Sequence, residues 1–469
     1  MNSHFARRVP ASLLVGLALL ALAPESRAQG FERLCDPELE NCRTPLLNLI
    51  RNERQGIDLA FWFMTDARYS YEIIQRFRAG VPVRVLVDEQ ATRTHPSNAT
   101  ILASLRDAGI PMRRRSSGGI LHWKFMLFDG QNTVQFSAAN YQGAAFVAET
   151  RGSDWMDEAI YFTNDDALVD SFRRKFDDKW INTSRYADYA NLTGPPARRY
   201  PLYAVAPWLN FPPKSENDYA VRAIARYARE TAQIDVMMYR ITDQRHANAL
   251  IDARRRGVRV RLIVEPSQYR DPTKIWHSWN VDRLYMAGVQ IKSRRHKGYM
   301  HQKSVVLRGL GEVIFGSSNW SVPSAVEQDE HNMFYTPAVG KPWLYQWFVD
   351  QFERKWSNGT AFSAFQPLRP GNPAYMKPAN GASGTPIDVT LRWDGGNWAH
   401  RYDIYFGTSP TPPLFARNVV VGSPVTGRIE TFTVRNLAPR TTYYWRIVGK
   451  TMANMMNSGT TWSFTTGDP

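Results

Sequence analysis

His122 and Lys124, with Asn140 eighteen residues beyond the histidine, recur as His301, Lys303 and Asn319 at the same intervals. Side chains alternate along a strand, so a His and a Lys two apart look into one pocket. An imidazole in that pocket can attack an electrophile or hand a proton to a leaving group. A lysine and an asparagine offer positive charge and N–H donors to oxyanions. Two such sets in one chain supply two imidazoles, two lysines and two asparagines for chemistry of this kind. A lone histidine near a strand is most often structural, but a duplicated set in register leaves little weight to that reading.

The flanking residues say how the pockets are built. Residues 125–128 and 304–307 read as buried strands, 134–136 and 313–315 as the strands that follow, and each asparagine falls where the second strand ends. Upstream, a helix over 46–54, a strand over 57–63, a helix over 69–79 stopped at Gly80 and a strand over 83–88 form a strand, helix, strand unit, which predicts a parallel pair. A further helix over 98–108 ends at Gly109 and leads through 110–115 to Gly118-Gly119. The order then repeats: 234–239 matches 57–62 at an offset of 177, and Gly288 matches Gly109 at 179, as His301 matches His122. Residues remote from the motif align too, so the chain is two homologous halves.

The run His-x-Lys, four residues, Asp129, then Ser137-Ala138-Ala139-Asn140, and its second copy ending Gly316-Ser317-Ser318-Asn319, resembles the motif of the phospholipase D superfamily, over residues 45–365. That resemblance implies two similar α/β lobes with one central site. It implies that Asp129 braces its loop, where the second copy carries Arg308. It also assigns to Glu158 and Glu330, in the repeated Asp157-Glu158 and Asp329-Glu330 pairs, the carboxylate that accepts a hydrogen bond from the motif histidine and orients it. The chemistry implied is displacement at a phosphodiester: His122 attacks and becomes phosphohistidine, His301 protonates the departing oxygen, and Lys124, Lys303, Asn140 and Asn319 hold the phosphoryl oxygens with no metal and no cofactor. The leading expectation is a phospholipid-hydrolysing phosphodiesterase. The first alternative is a secreted metal-independent nuclease on DNA or RNA, because 257–260 resembles the small nucleases of the superfamily. The second is a non-catalytic polyanion-binding protein, suggested by Arg308.

At 469 residues and 43% hydrophobic content the chain is long enough for two or three domains, and disorder is excluded as its general state. A formal charge of +15 favours anionic partners. Residues 1–28 carry Arg7-Arg8, an apolar run over 11–23 and Ser26-Arg27-Ala28, the layout of a secretory signal, so a secreted or periplasmic protein is expected. Cys35 and Cys42 are the only cysteines, and in an oxidising compartment they form one disulfide. No later segment has the roughly 18 apolar residues of a membrane helix. The expected domains are a first lobe over 31–195, a second over 196–365, a linker over 366–385 and an all-β sandwich over 386–469. In that sandwich, Leu437, Pro439, Thr441 and Tyr443 resemble the tyrosine corner of fibronectin type III domains. The basic runs 113–115 and 294–297 read either as a rim that recruits polyanions or as a solvated face, and Trp276, His277 and Trp279 as core or as a lipid or base contact. The partner implied is an anionic phosphodiester, with peripheral contact to a membrane surface, and the protein is expected to be a monomer.

Overall fold

The computed structural model describes residue 1 and residues 32–213, 218–420 and 429–468, so the signal expected over 1–28 lies, but for Met1, outside the described residues. Residues 57–61 and 83–87 are apolar enough to be buried on both faces, and they pair in parallel across the helix Ala67–Arg78, as the strand, helix, strand reading requires. The Lys124–Phe128 strand joins Ile57–Phe61 on its other side, antiparallel, which makes the sheet mixed.

The two eight-stranded sheets match strand for strand. The first runs Tyr186–Ala190, Met112–Arg115, Val83–Val87, Ile57–Phe61, Lys124–Phe128, Thr133–Ser137, Ile160–Thr163, Arg33–Cys35. The second runs Phe362–Ala364, Gln290–Arg294, Arg259–Val264, Gln233–Met238, Lys303–Leu307, Glu312–Gly316, Asn332–Tyr335, Leu209–Asn210. One face of each sheet packs on its own helices, around Ile57, Leu59 and Ile73 in the first lobe and Ile234, Val236 and Leu250 in the second. The other faces share a third core containing Phe125, Phe136 and Phe172 from one lobe with Val306, Phe315 and Phe348 from the other. Phe136 and Phe315, equivalent by the repeat, stack on each other with ring centroids 5.9 Å apart and planes 8° from parallel. An approximate two-fold axis therefore runs beside them, and the lobes form one body. Cys35 and Cys42 are joined by a disulfide at the start of the first lobe.

Residues 366–385, expected as a linker, contribute two strands instead, because their Pro and Gly residues flank short runs that pair at sheet edges. Ala374–Lys377 pairs with Val389–Asp394, and Ala382–Thr385 with Trp462–Thr466. The C-terminal strands make two sheets that share a core including Leu391, Trp393, Ile404, Trp445 and Phe464. Tyr443 accepts a hydrogen bond on its hydroxyl from the Ala438 N–H at 3.0 Å. This region sits on the second lobe: His400 Nε2 lies 3.0 Å from Ser278 Oγ, and the Leu368 N–H donates to the Tyr269 hydroxyl at 3.0 Å. His277 is buried with Nδ1 accepting from the Ile241 N–H at 2.9 Å, and Trp276 and Trp279 are half-buried against each other. Of the described helices, none is long and apolar enough to cross a membrane.

Candidate active site

Lys124 and Lys303 are the first residues of matching central strands, and the histidine two positions earlier lies at the strand mouth on the same side. Both histidines, both lysines and both asparagines are buried. Each lysine is hooked to its own histidine's backbone: Lys124 Nζ donates to the His122 carbonyl at 2.7 Å and Lys303 Nζ to that of His301 at 2.5 Å. Lys303 Nζ also stands 3.2 Å from His301 Nε2.

The carboxylates cross over. Leu121 bridges to Asp329 and Met300 to Asp157, both in parallel register, and the His122 and His301 N–H groups donate to the carbonyls of Asp329 and Asp157 at 2.9 and 3.2 Å. One residue further along each bridge, an imidazole of one lobe meets a glutamate of the other. His122 Nδ1 is 2.9 Å from Glu330, and His301 Nδ1 is 2.7 Å from Glu158. An ionised glutamate can only accept, so Nδ1 carries the proton and Nε2 presents its lone pair to the site. The close backbone approach at these seams needs glycine. A Cβ on Gly119 would lie 2.5 Å from the Glu327 carbonyl oxygen, and one on Gly298 would lie 1.6 Å from that of Trp155.

The seams are tied from behind by charged groups, of which only Arg115 and His296 fall in the runs that the sequence reads as a rim or a solvated face. Asp157 is held by Lys355 at 2.6 Å and His296 at 2.8 Å, and Asp329 by Lys179 at 2.5 Å, the Tyr186 hydroxyl at 2.6 Å and Arg115. Arg295 and Lys297 are exposed, whereas Arg113 and Arg115 are buried and Arg294 is bonded to Glu265 at 2.8 Å, so the latter three serve as internal struts. Strand alternation turned their charges inward, where buried carboxylates await them. Ser317 Oγ donates to Glu330 at 2.5 Å, a contact for which the first copy, with Ala138 there, has no counterpart. Asp129 is paired with Arg173 at 2.7 Å, and Arg308 with Asp235 at 2.6 Å and Glu353 at 2.9 Å. The second loop is thus braced with the charges reversed, and Arg308 leaves the His301 strand in the same register as its mate.

Burial sets the protonation of the site. It pushes the Glu158 carboxyl up to about 8 and that of Glu330 up to about 7, with Lys303 and Lys124 pulling back on the first and Lys124 on the second. Burial, reinforced by the two lysines and Arg240, holds both imidazoles well below their ordinary value and therefore neutral. Burial lowers Lys124 well below the ordinary lysine value and Lys303 to about 8. The side-chain oxygens of Asn140 and Asn319 are buried without a hydrogen-bond partner, as is one oxygen of Glu158. Buried polar atoms normally find partners, so this cluster is built to be completed by a polar ligand. Among the described residues no group of three or more His, Cys, Asp or Glu side chains is placed to hold a metal ion.

The family model described as "Cardiolipin synthase, PLD-like domain" matches residues 46–180 and again 224–356, more than half of the chain. The chain belongs to this PLD-like family. Each match takes in one histidine, one lysine and one asparagine of the pair. The mitochondrial cardiolipin hydrolase of Xenopus laevis is 30% identical to this PLD-like chain over 123 residues, which is 26% of the chain and 54% of the relative. The chain spans about half the length of the curated relatives it matches. Phosphatidylserine synthase from Haemophilus influenzae Rd KW20 superposes with a TM-score of 0.55 at 14% identity, covering 71% of the chain and 87% of the synthase. Polyphosphate kinase from Porphyromonas gingivalis gives 0.51 at 14% identity, with 72% and 48% covered. At that identity the two structures speak for the fold alone.

The structure brings the two histidines, two lysines and two glutamates together, sets Asn140 and Asn319 just past the ends of the neighbouring strands Thr133–Ser137 and Glu312–Gly316, and sets Asp129 past the far end of the Lys124–Phe128 strand. The supporting Asp157, Asp329, Lys179, Lys355 and Ser317 were not singled out from sequence. The signal for the lysines was available: both lie one residue before the repeated Trp180 and Trp356, at the end of equivalent helices.

Proposed function

We propose that this PLD-like chain is a phosphodiesterase that cleaves phospholipid headgroups through a phosphohistidine on His122. The observation that carries the reading is the crossed pair of His–Glu contacts, which sets two Nδ1-anchored imidazoles beside two lysines. In the first step His122 Nε2 bonds to phosphorus, the bond to the headgroup oxygen breaks, and that oxygen takes the proton of His301. In the second, water attacks the phosphorus–nitrogen bond while His301 takes its proton, which restores both rings. Neutral His122 suits the attack. His301 is given the acid role because Lys303 Nζ occupies its Nε2 lone pair and so blocks it as a nucleophile, whereas Lys124 reaches only the His122 carbonyl and leaves His122 Nε2 open. An arriving phosphodiester anion offsets the lysine charges that hold the imidazoles neutral and so favours protonation of His301.

The names of the curated relatives support a lipid substrate, and the inward turn of Arg113 and Arg115 leaves fewer exposed cations for a polyanion groove. The N-terminal layout and the disulfide support export to an oxidising compartment. The test is incubation with phosphatidylcholine vesicles and, in parallel, with single- and double-stranded DNA. Headgroup release without DNA cutting is the expected result. DNA cutting without headgroup release would replace the lipid reading with the nuclease.

A further inference from the structure

The histidines, lysines, asparagines and glutamates of the site have two-fold mates of like kind, but one charged group beside them does not. Trp62 and Tyr239 are equivalent at the repeat offset of 177, and each lies beside its lobe's histidine, with ring centroids 6.4 and 4.7 Å from His122 and His301. The next position is Phe63 in the first lobe, buried and stacked on His95 at 3.7 Å, but Arg240 in the second. Arg240 is half-buried, and its backbone carbonyl accepts from the N–H of Trp320, the residue after Asn319, at 3.0 Å. Its Nε donates to Gln268 Oε1 at 2.9 Å, and Gln268 in turn donates to the Tyr239 hydroxyl at 3.0 Å. The guanidinium is thus fixed at one nitrogen by a neutral partner, and among the described residues no carboxylate pairs with it. Its charge is felt at His122, His301 and Lys303.

The charge count makes this cation surplus. Lys124, Lys303 and the His301 ring, protonated for its acid role, balance Glu158, Glu330 and the single charge of a phosphodiester, which leaves the Arg240 charge over. A clamped guanidinium with its terminal amino groups unspent is shaped to bind a phosphate in bidentate fashion. We propose that Arg240 forms a subsite for a second phosphate on the substrate, carried next to the phosphodiester that is cut. The opposite wall, with Phe63 on His95, offers no such charge, so the substrate enters with its extra anion toward the second lobe. The proposal rests on the phosphodiesterase reading above.

The test compares phosphatidylglycerophosphate with phosphatidylglycerol, which differ by one phosphate, in neutral detergent micelles at fixed salt, for the full chain, Arg240→Gln and Arg240→Lys. The full chain is expected to favour the lipid with two phosphates, and Arg240→Gln to lower the ratio of the two kcat/KM values about 10- to 100-fold. Arg240→Lys is expected to give a ratio between those of the full chain and Arg240→Gln, because the charge stays while the fork is lost. An unchanged ratio, or equal loss on both lipids, overturns the proposal. If the full chain cuts neither lipid but does cut bis(p-nitrophenyl) phosphate, the lipid reading fails by itself. The subsite is then read by inhibition of that turnover: Arg240→Gln should weaken pyrophosphate about 10-fold more than inorganic phosphate, and equal weakening overturns it.

Discussion

Because each imidazole is oriented by the glutamate of the opposite lobe, Glu330→Gln should disable His122 and Glu158→Gln should disable His301. The contacts are 2.9 and 2.7 Å between buried groups, and a hydrogen bond to a charged imidazolium contributes about 1.5–3 kcal/mol, or roughly 10- to 150-fold in rate. A glutamine can also turn its NH2 toward Nδ1, which moves the ring proton to Nε2 and removes the lone pair from the site. For a carboxylate that orients a catalytic histidine, that combined loss approaches ~10⁴. Two substrates separate the steps: phosphatidylcholine, whose leaving alkoxide needs a proton, and a p-nitrophenyl phosphodiester, whose leaving group does not. Glu330→Gln should fail on both, with no phosphorus retained on the protein. Glu158→Gln should fail on phosphatidylcholine yet release one equivalent of p-nitrophenol in a burst, leaving phosphohistidine that survives an alkaline denaturing quench. The reverse pattern, with Glu158→Gln abolishing the burst and Glu330→Gln keeping it, would refute the crossed pairing or the division of roles built on it.

The seams and charges make further predictions. Gly298→Ala places a methyl group inside the Trp155 carbonyl and should cost about 3 kcal/mol together with most of the activity; a melting temperature within a degree or two of the parent would contradict the close approach. Lys355→Met strips Asp157 of its main counter-charge and should cost about 3–5 kcal/mol at pH 7 by denaturant titration. Against the cost of burial, Lys355 and His296 hold Asp157 below the ordinary carboxylate value, so its contribution is present above that value and is lost as pH falls. The gap between variant and parent should therefore narrow below about pH 4, and a gap independent of pH would count against the ion pair. For catalysis, Glu330 and Glu158 must be ionised, through about 7 and about 8, and Lys303 protonated, up to about 8. The kcat/KM profile should be a narrow bell centred near pH 8, and a flat profile from pH 5 to 9 would exclude this assignment.

Much of the molecule was legible without coordinates because its signals are local. The interval of two between His122 and Lys124 fixes a shared strand face, the offset of 177 to 179 exposes the two halves, and the runs at 57–61 and 234–238, apolar but for Asp58 and Asp235, read as strands. The inward turn of Arg113 and Arg115 was not legible, since a run of three arginines has the same composition on a surface as in a strand that meets a buried aspartate. Nor could sequence show that Arg308 keeps its loop by exchanging Asp129's charge for the opposite one, because its partners Asp235 and Glu353 lie 73 and 45 residues away. The sequence by itself determined which residues form the site and that there are two sets of them. Only the packing of one sheet on the other decided that Glu330 serves His122 and Glu158 serves His301, and that Arg240 stands alone. Spacing along a chain dictates geometry within an element, whereas contacts 208 and 143 residues apart depend on how two separately closed sheets meet across an apolar face.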